Sequence, residues 1–333
     1  MACVARTLGD LPSASMLLQN IILPGVVYPL IAAIIGVLLS LFTAQRGTSN
    51  RSGGALTVGA SFGVGFVALN GWPRLPPVEA TQRLFVIVTA FALLAYVFSL
   101  FRPPEGPRKI TFAPRDRPAS LAGPLILFVV CCGLMLPAAL EAMIRHTWTA
   151  LQAALWLGGL LVYGVVLWLV LRRHLLVAVE PQPLFPGERD GMVRIALRLA
   201  TFAGLAATFG LADSALLGQV MGAAFVGIAV VDVAGWFTHR RMWRFADLSL
   251  LALLVVGLGA IAHHYAGLTT WPALLAAAAL LLLPPTSAPT WRGLLPVAAL
   301  AVAITLLVWS KSNEPDPYDY YGLGPARVEH EAA

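Results

Sequence analysis

The sequence contains very little charge. Only 11% of its 333 residues are Asp, Glu, Lys or Arg, whereas 59% are hydrophobic. A soluble globular domain carries about 25% charged residues, because it has to cover its surface against water. A chain this poor in charge cannot do so, but apolar side chains facing lipid carry no such cost. The composition therefore predicts an integral membrane protein.

Cysteine and lysine are also scarce. The three cysteines are Cys3, Cys131 and Cys132, and their spacing fits neither a zinc site nor a disulfide framework. Lys109 and Lys311 are the only lysines, so the net charge of +6 comes almost entirely from arginine. These basic residues stand in short connections between apolar runs, where they hold loops in the cytoplasm. We therefore expect no nucleic-acid partner.

Familiar catalytic motifs are missing. The sequence has no His-Glu-x-x-His, no glycine-rich phosphate loop, no nucleophile elbow and no Ser/His/Asp grouping. None of its six histidines lies centrally in an apolar run, whereas haem ligation needs paired histidines buried on facing helices. We predict no cofactor and favour a role without catalysis. An intramembrane enzyme, built from scattered residues, is the third hypothesis for function.

Long apolar runs dominate what remains. A spanning helix needs about 20 apolar residues, and the first run is longer than a signal peptide's core of about 7–15 residues. We predict an all-α bundle of ten spans over residues 1–310 and an acidic tail over 311–333, disordered unless a partner orders it. The glycine-rich second run is either a span or a re-entrant loop. The runs are 16–42, 54–72, 83–101, 119–143, 148–171, 193–212, 214–236, 245–265, 268–284 and 293–309.

Basic residues alternate between the two sides of the predicted bundle. Sixteen of the 22 lysines and arginines follow odd-numbered runs, and six lie at the termini or after even-numbered runs. Basic connections stay in the cytoplasm. We therefore predict that both termini lie outside the cytoplasm.

Polar residues in and around run 214–236 are the candidates for a transport path. Asp213 either caps this helix or forms the mouth of the path, and Gln219 either bonds across a helix contact or continues the path. Asp232 lies near the cytoplasmic end, where it either pairs with Arg240 or Arg241 or binds a proton or cation. An unpaired carboxylate deep in lipid would cost a few kcal/mol, which favours the ion pair.

Small residues predict close helix contacts. Gly59 and Gly63 in the second run, and Gly218 and Gly222 in the seventh, each place two glycines on one helix face. This Gly-x-x-x-Gly spacing permits close approach of two backbones and indicates helix packing.

Three histidines are weak candidates for an outer metal site. His146 lies at the outer end of the fourth run, and His263 and His264 lie at the outer end of the eighth. Adjacent helical residues point about 100° apart and rarely bind one ion together, so we predict no metal. Glu141 and Arg145 stand four residues apart, which favours a surface ion pair.

The connection 71–79 contains Trp72-Pro-x-x-Pro-Pro77. With this loop and its many spans, the chain resembles polytopic proteins of GC-rich bacterial genomes that have no assigned activity. The resemblance implies a multi-pass protein of the bacterial inner (plasma) membrane. In length and span count the chain also resembles the drug/metabolite transporter superfamily, although that family keeps both termini in the cytoplasm.

Two hypotheses for function therefore lead. The first is an accessory or scaffold subunit, whose partners are the lipid bilayer and other membrane subunits. The second is a transporter of small molecules or ions, in which two inverted halves of five spans would enclose a site near the midplane.

Overall fold

The computed structural model describes residues 18–45, 53–101, 119–175, 188–212, 214–238, 243, 245–284 and 290–313. These residues are helical apart from short connections, and no strand occurs among them, so the all-α prediction is confirmed. Of the predicted tail over 311–333, residues 314–333 lie outside the described residues, and the last helix runs to Ser312.

The described helices follow the predicted apolar runs closely. They are α1 (Tyr28–Gln45), preceded by a π-helical segment (Leu18–Val27), α2 (Gly53–Asn70), α3 (Ala80–Phe101), α4 (Ala119–Ala139), the short α5 (Glu141–His146), α6 (Ala150–Leu175), α7 (Glu188–Leu211), α8 (Ala215–Thr238), α9 (Phe245–Tyr265), α10 (Thr270–Leu281) and α11 (Leu294–Ser312), which follows a 3-10 turn (Thr290–Gly293).

Eight of these helical stretches are long and apolar enough to cross a membrane. They comprise α1 with the end of its π segment, α2, α3, α6, α7, α8, α9 and α11. Predicted runs 119–143 and 268–284 correspond to shorter apolar helices, Gly123–Ala139 and Thr270–Leu281. Run 119–143 is divided at Leu140, between α4 and α5. The chain therefore has the helices of a multi-pass membrane protein.

Two tryptophans between helices mark the two ends of the bundle. Trp72 follows α2 and precedes α3, and we call this the Trp72 end. Trp243 lies between α8 and α9, and we call this the Trp243 end.

Helix α9 lies at the centre of the bundle. It packs against α2, α3, α4, α6, α8 and α10, and 83% of its apolar window is buried inside the protein. Nearly every side chain from Leu248 to Ala262 is buried and apolar. Because lipid-facing and protein-facing helices are equally apolar, their sequences do not reveal which helix is central.

Helix α2 is the other well-buried element, and glycines bring its neighbours close. At Gly59 an added Cβ atom would overlap the Cβ atom of Ala92 in α3, and at Gly65 it would overlap that of Ala223 in α8. The Ser61 hydroxyl donates a hydrogen bond of 2.7 Å to the carbonyl oxygen of Ala223. Small residues at membrane helix contacts allow this kind of backbone approach. Helix α2 is one continuous helix of 18 residues.

The four glycines predicted to pack helices have different surroundings. Gly218 lies against the backbone of Gly210 in α7, where an added Cβ atom would overlap the Cα atom. A Cβ atom at Gly63 would make ordinary contacts of 3.7 Å with Phe85 and Thr89. At Gly222 it would meet no atom within 4 Å.

We predict that Gly59→Ala destabilises the bundle, whereas Gly222→Ala does not. The new methyl group at Gly59 has to push α3 away, and overpacking of this kind costs about 1–3 kcal/mol. At Gly222 the space is open, and alanine is the better helix former. Thermal unfolding of both variants in the same detergent checks the difference. Equal midpoints would contradict the contact between α2 and α3.

Candidate functional site

A buried ion pair joins α7 to α8 near the Trp243 end. The Nε atom of Arg198 lies 2.9 Å from Oδ2 of Asp232, at ion-pair distance but without hydrogen-bond geometry. The indole N–H of Trp243 donates a 2.7 Å hydrogen bond to the other carboxylate oxygen. The Asp232 side chain is only 2% exposed and that of Arg198 is 24% exposed. Each carboxylate oxygen therefore has its own positive or donor group.

The sequence suggested a different partner for this acid. Arg240 and Arg241 lie outside the described residues, and the described partner is Arg198, from the preceding helix. An arginine in the first turns of an apolar helix reaches back toward the interface with its long side chain. Here the Arg198 side chain contacts the buried carboxylate of Asp232, so Arg198 is part of the site.

A second buried acid at the Trp243 end was missed by the sequence analysis. Asp247 is 1% exposed in the first turn of α9, and its carboxylate accepts a hydrogen bond from the backbone N–H of Ala55. Ala55 is in the first turn of α2, where backbone N–H groups have no partner within the helix. Gly54 allows the close approach, because an added Cβ atom would lie 2.8 Å from the carboxylate. Asp247 therefore ties α2 to α9 and complements the dipole of α2.

The other transport-path candidates lie apart from the ion pair. Gln219 is half-buried, and no hydrogen bond to its amide occurs within the described part of the chain. It precedes Asp232 by 13 residues in the same helix, which corresponds to about 20 Å along the axis. Asp213 lies outside the described residues.

Hydroxyl groups inside the bundle are mostly bonded to backbone. Thr57, Thr201 and Thr208 each donate to the carbonyl oxygen four residues earlier in their own helix, and Ser61 donates to α8. Such bonds satisfy the hydroxyl without opening a polar channel between helices.

A cavity of about 510 Å³ opens near the Trp72 end. It is lined by the loop before α3, the first turn of α3, the short helix α5 and the end of α9. Glu141 in α5 is paired with Arg83 through one oxygen and with Arg145 through the other, the latter at 2.6 Å. Arg83 also donates to the carbonyl oxygens of Pro77 and Ala138, at 3.2 and 2.8 Å.

The histidines predicted as weak metal ligands fall into two places. His146 lines the cavity. His263 and His264 pack with Trp148 and Trp156 in an aromatic cluster, with the two imidazole centroids 4.7 Å apart. The Nδ1 atom of His263 lies 2.7 Å from the carbonyl oxygen of Leu268. Within the described ranges, no group of three His, Cys, Asp or Glu residues is arranged to hold a metal ion.

Comparison of the chain with protein-family models, with curated proteins and with solved structures finds no significant match.

We predict that Arg198→Met destabilises the protein by about 3 kcal/mol, because it leaves the Asp232 carboxylate buried without a counter-charge. Adding Asp232→Asn should recover most of the loss, since the asparagine is neutral and still accepts from Trp243. Thermal unfolding of the single and double variants measures this coupling. The exposed pair of Arg145 provides the control, because Arg145→Met should cost less than about 1 kcal/mol. Additive effects at Arg198 and Asp232 would contradict the pairing.

Proposed function

We propose that the chain is an accessory or scaffold subunit of a membrane complex, built from ten spans with both termini outside the cytoplasm, in the bacterial inner membrane. The observation that carries this proposal is the apolar filling around α9. Its buried side chains between Leu250 and Ala262 are apolar, and they separate the ion pair at the Trp243 end from the cavity at the Trp72 end. A solute crossing the bundle would need polar partners along that distance.

Contacts of α7 with α11 support ten crossings. An added Cβ atom at Gly293 would contact Leu197, and one at Gly204 would contact Leu300, so the two helices run parallel. Since α9 ends at the Trp72 end and α11 begins beside the Trp243 end, the chain between them crosses the bundle. The short helix α10 is the described helix between these two points.

Contacts of α1 with α2 support the location of the termini. Gly65 lies near Pro29, and Gly36 lies near Thr57, so α1 and α2 run antiparallel. Helix α1 therefore starts toward the Trp72 end, which is also where α11 finishes. Together with the arginine-rich connections of the opposite end, this arrangement favours two termini on the outer side.

We predict that the loop 102–118 is cytoplasmic and that the loop 71–79 is external. In a variant without natural cysteines, Arg74→Cys should react with a membrane-impermeant maleimide in intact cells. Ile110→Cys should react only after the membrane is permeabilised. The reverse pattern would invert the proposed orientation.

A transporter is the second candidate, and one observation favours it. Gln82 and Thr89 lie seven residues apart on one face of α3, and a side-chain oxygen of each is buried with no hydrogen-bond partner in the described part of the protein. Gln82 is in the turn of α3 whose neighbours Thr81 and Arg83 line the cavity, and Thr89 is two turns further along the helix, an order that the start of a polar path would have. An intramembrane enzyme is third, since the described polar groups form no set of nucleophile and base.

We predict that the protein purifies from native membranes in mild detergent with stoichiometric partner subunits. Mass spectrometry identifies them, and a visible spectrum shows any bound pigment. In parallel, Thr89→Val and Asp232→Asn are tested for partner binding and, after reconstitution into liposomes, for solute uptake. A scaffold should lose partners only when its fold is disturbed. A protein that purifies alone, and whose solute uptake is lost in Thr89→Val at wild-type stability, would replace this proposal with transport.

A further inference from the structure

We infer that the cavity at the Trp72 end binds a zwitterion: a ligand with an ammonium group, an anionic phosphate or carboxylate group, and an apolar remainder. The inference does not depend on the accessory role, because it rests on the lining of this cavity alone.

Arg145 provides the group that would hold the anion. Its side chain is 70% exposed, and its one described partner is Oε1 of Glu141. An arginine guanidinium has five N–H donors in a planar fork, which matches the oxygens of a phosphate or carboxylate. Most of these donors remain available at the cavity wall. Arg83 has less capacity left, since Glu141 and two backbone carbonyl oxygens occupy three of its five N–H donors and Glu141 balances its charge.

Glu79 provides the group that would hold the ammonium. It lies on the cavity wall formed by the loop before α3, whereas Arg145 belongs to the wall formed by α5. Its carboxylate is exposed and has no ion-pair partner in the part of the chain that the structure describes. Glu141 does not compete for the ammonium, because both of its oxygens already face arginines.

The remaining lining suits an apolar body. Ala142, Ile261 and Tyr265 contribute apolar surface to the cavity. A volume of about 510 Å³ falls within the range of small-molecule sites, which are apolar pockets with a few placed polar groups.

Charge balance favours a zwitterion over a simple anion or cation. The lining carries two arginines and two glutamates, so neither sign is in excess. After the pairing of Arg83 with Glu141, one cation and one anion remain for a ligand. Glu79 would repel a purely anionic ligand, and Arg145 would repel a purely cationic one.

Two sources offer this chemistry: the headgroup of a zwitterionic phospholipid and a free, soluble zwitterion. The purified full chain is therefore titrated in detergent with dioleoylphosphatidylethanolamine, with dioleoylphosphatidylglycerol, which lacks the ammonium, and with soluble glycerophosphoethanolamine. Native mass spectrometry measures the bound fraction. We expect the ethanolamine lipid to bind about tenfold more tightly than the glycerol lipid, the size of effect typical for one charge-assisted hydrogen bond.

Two variants separate the roles of the two charges. Arg145→Gln should weaken the binding of both lipids about tenfold, because both lipids carry the phosphate that Arg145 would hold. Glu79→Gln should weaken binding of the ethanolamine lipid alone. Binding of the glycerol lipid should be as tight as in the wild type or tighter, because the repulsion by Glu79 is removed, and this shows that the cavity is intact. Arg292→Gln is the matched control for charge, since Arg292 lies in the 3-10 turn before α11, at the other end of the bundle.

The outcomes test the zwitterion site and identify the source of its ligand. Loss of the preference for ethanolamine in Glu79→Gln supports the zwitterion site. Binding of the soluble headgroup as tightly as the lipid identifies a free zwitterion as the ligand, and binding of the lipid alone identifies a membrane lipid. Equal binding of the two lipids by the wild-type protein, wild-type selectivity in Glu79→Gln, or wild-type affinity for both lipids in Arg145→Gln would overturn the inference.

Discussion

The close contact of α2 with its neighbours is the constraint on which the rest of the bundle depends. Gly59 and Gly65 bring α3 and α8 against its backbone, and Asp247 fixes its first turn to α9. In lipid, packing and hydrogen bonds hold helices together, because the bilayer is as apolar as the side chains. The contacts around α2 therefore set the positions of the helices that carry the ion pair and the cavity.

The charged groups of the buried ion pair, the Asp247 cap and the cavity lie toward the two ends of the protein, and they serve different purposes there. The acids at the Trp243 end are buried and bonded to neighbouring helices, so they hold the bundle together. The charges at the Trp72 end surround open space, and Arg145 and Glu79 retain bonding capacity. The Trp243 end is therefore the fixed end of the bundle, and the Trp72 end is the open one.

Much of the secondary structure was predictable, because an apolar run of about 20 residues has few alternatives in lipid. The run 245–265 matches α9 residue for residue. Tertiary relationships were not predictable from such runs. The burial of α9, the partner of Asp232 and the cap formed by Asp247 depend on which helices meet, and apolar sequences do not encode that visibly. The only signal for Asp247 was an acid in the first turn of an apolar run. The cavity joins segments nearly 200 residues apart, so no local pattern marks it.

The ion pair of α7 with α8 also bears on how the chain enters the membrane. Arg198 and Asp232 lie on consecutive helices whose backbones meet at Gly210 and Gly218, close to the turn between them. As a hairpin, the two helices carry this pair into lipid with no net charge. Taken singly, each helix would bring its member of the pair without the counter-charge, at a cost of about 2.5–3.5 kcal/mol if that charge reached the centre of the bilayer. Insertion of the two helices as one unit avoids that cost.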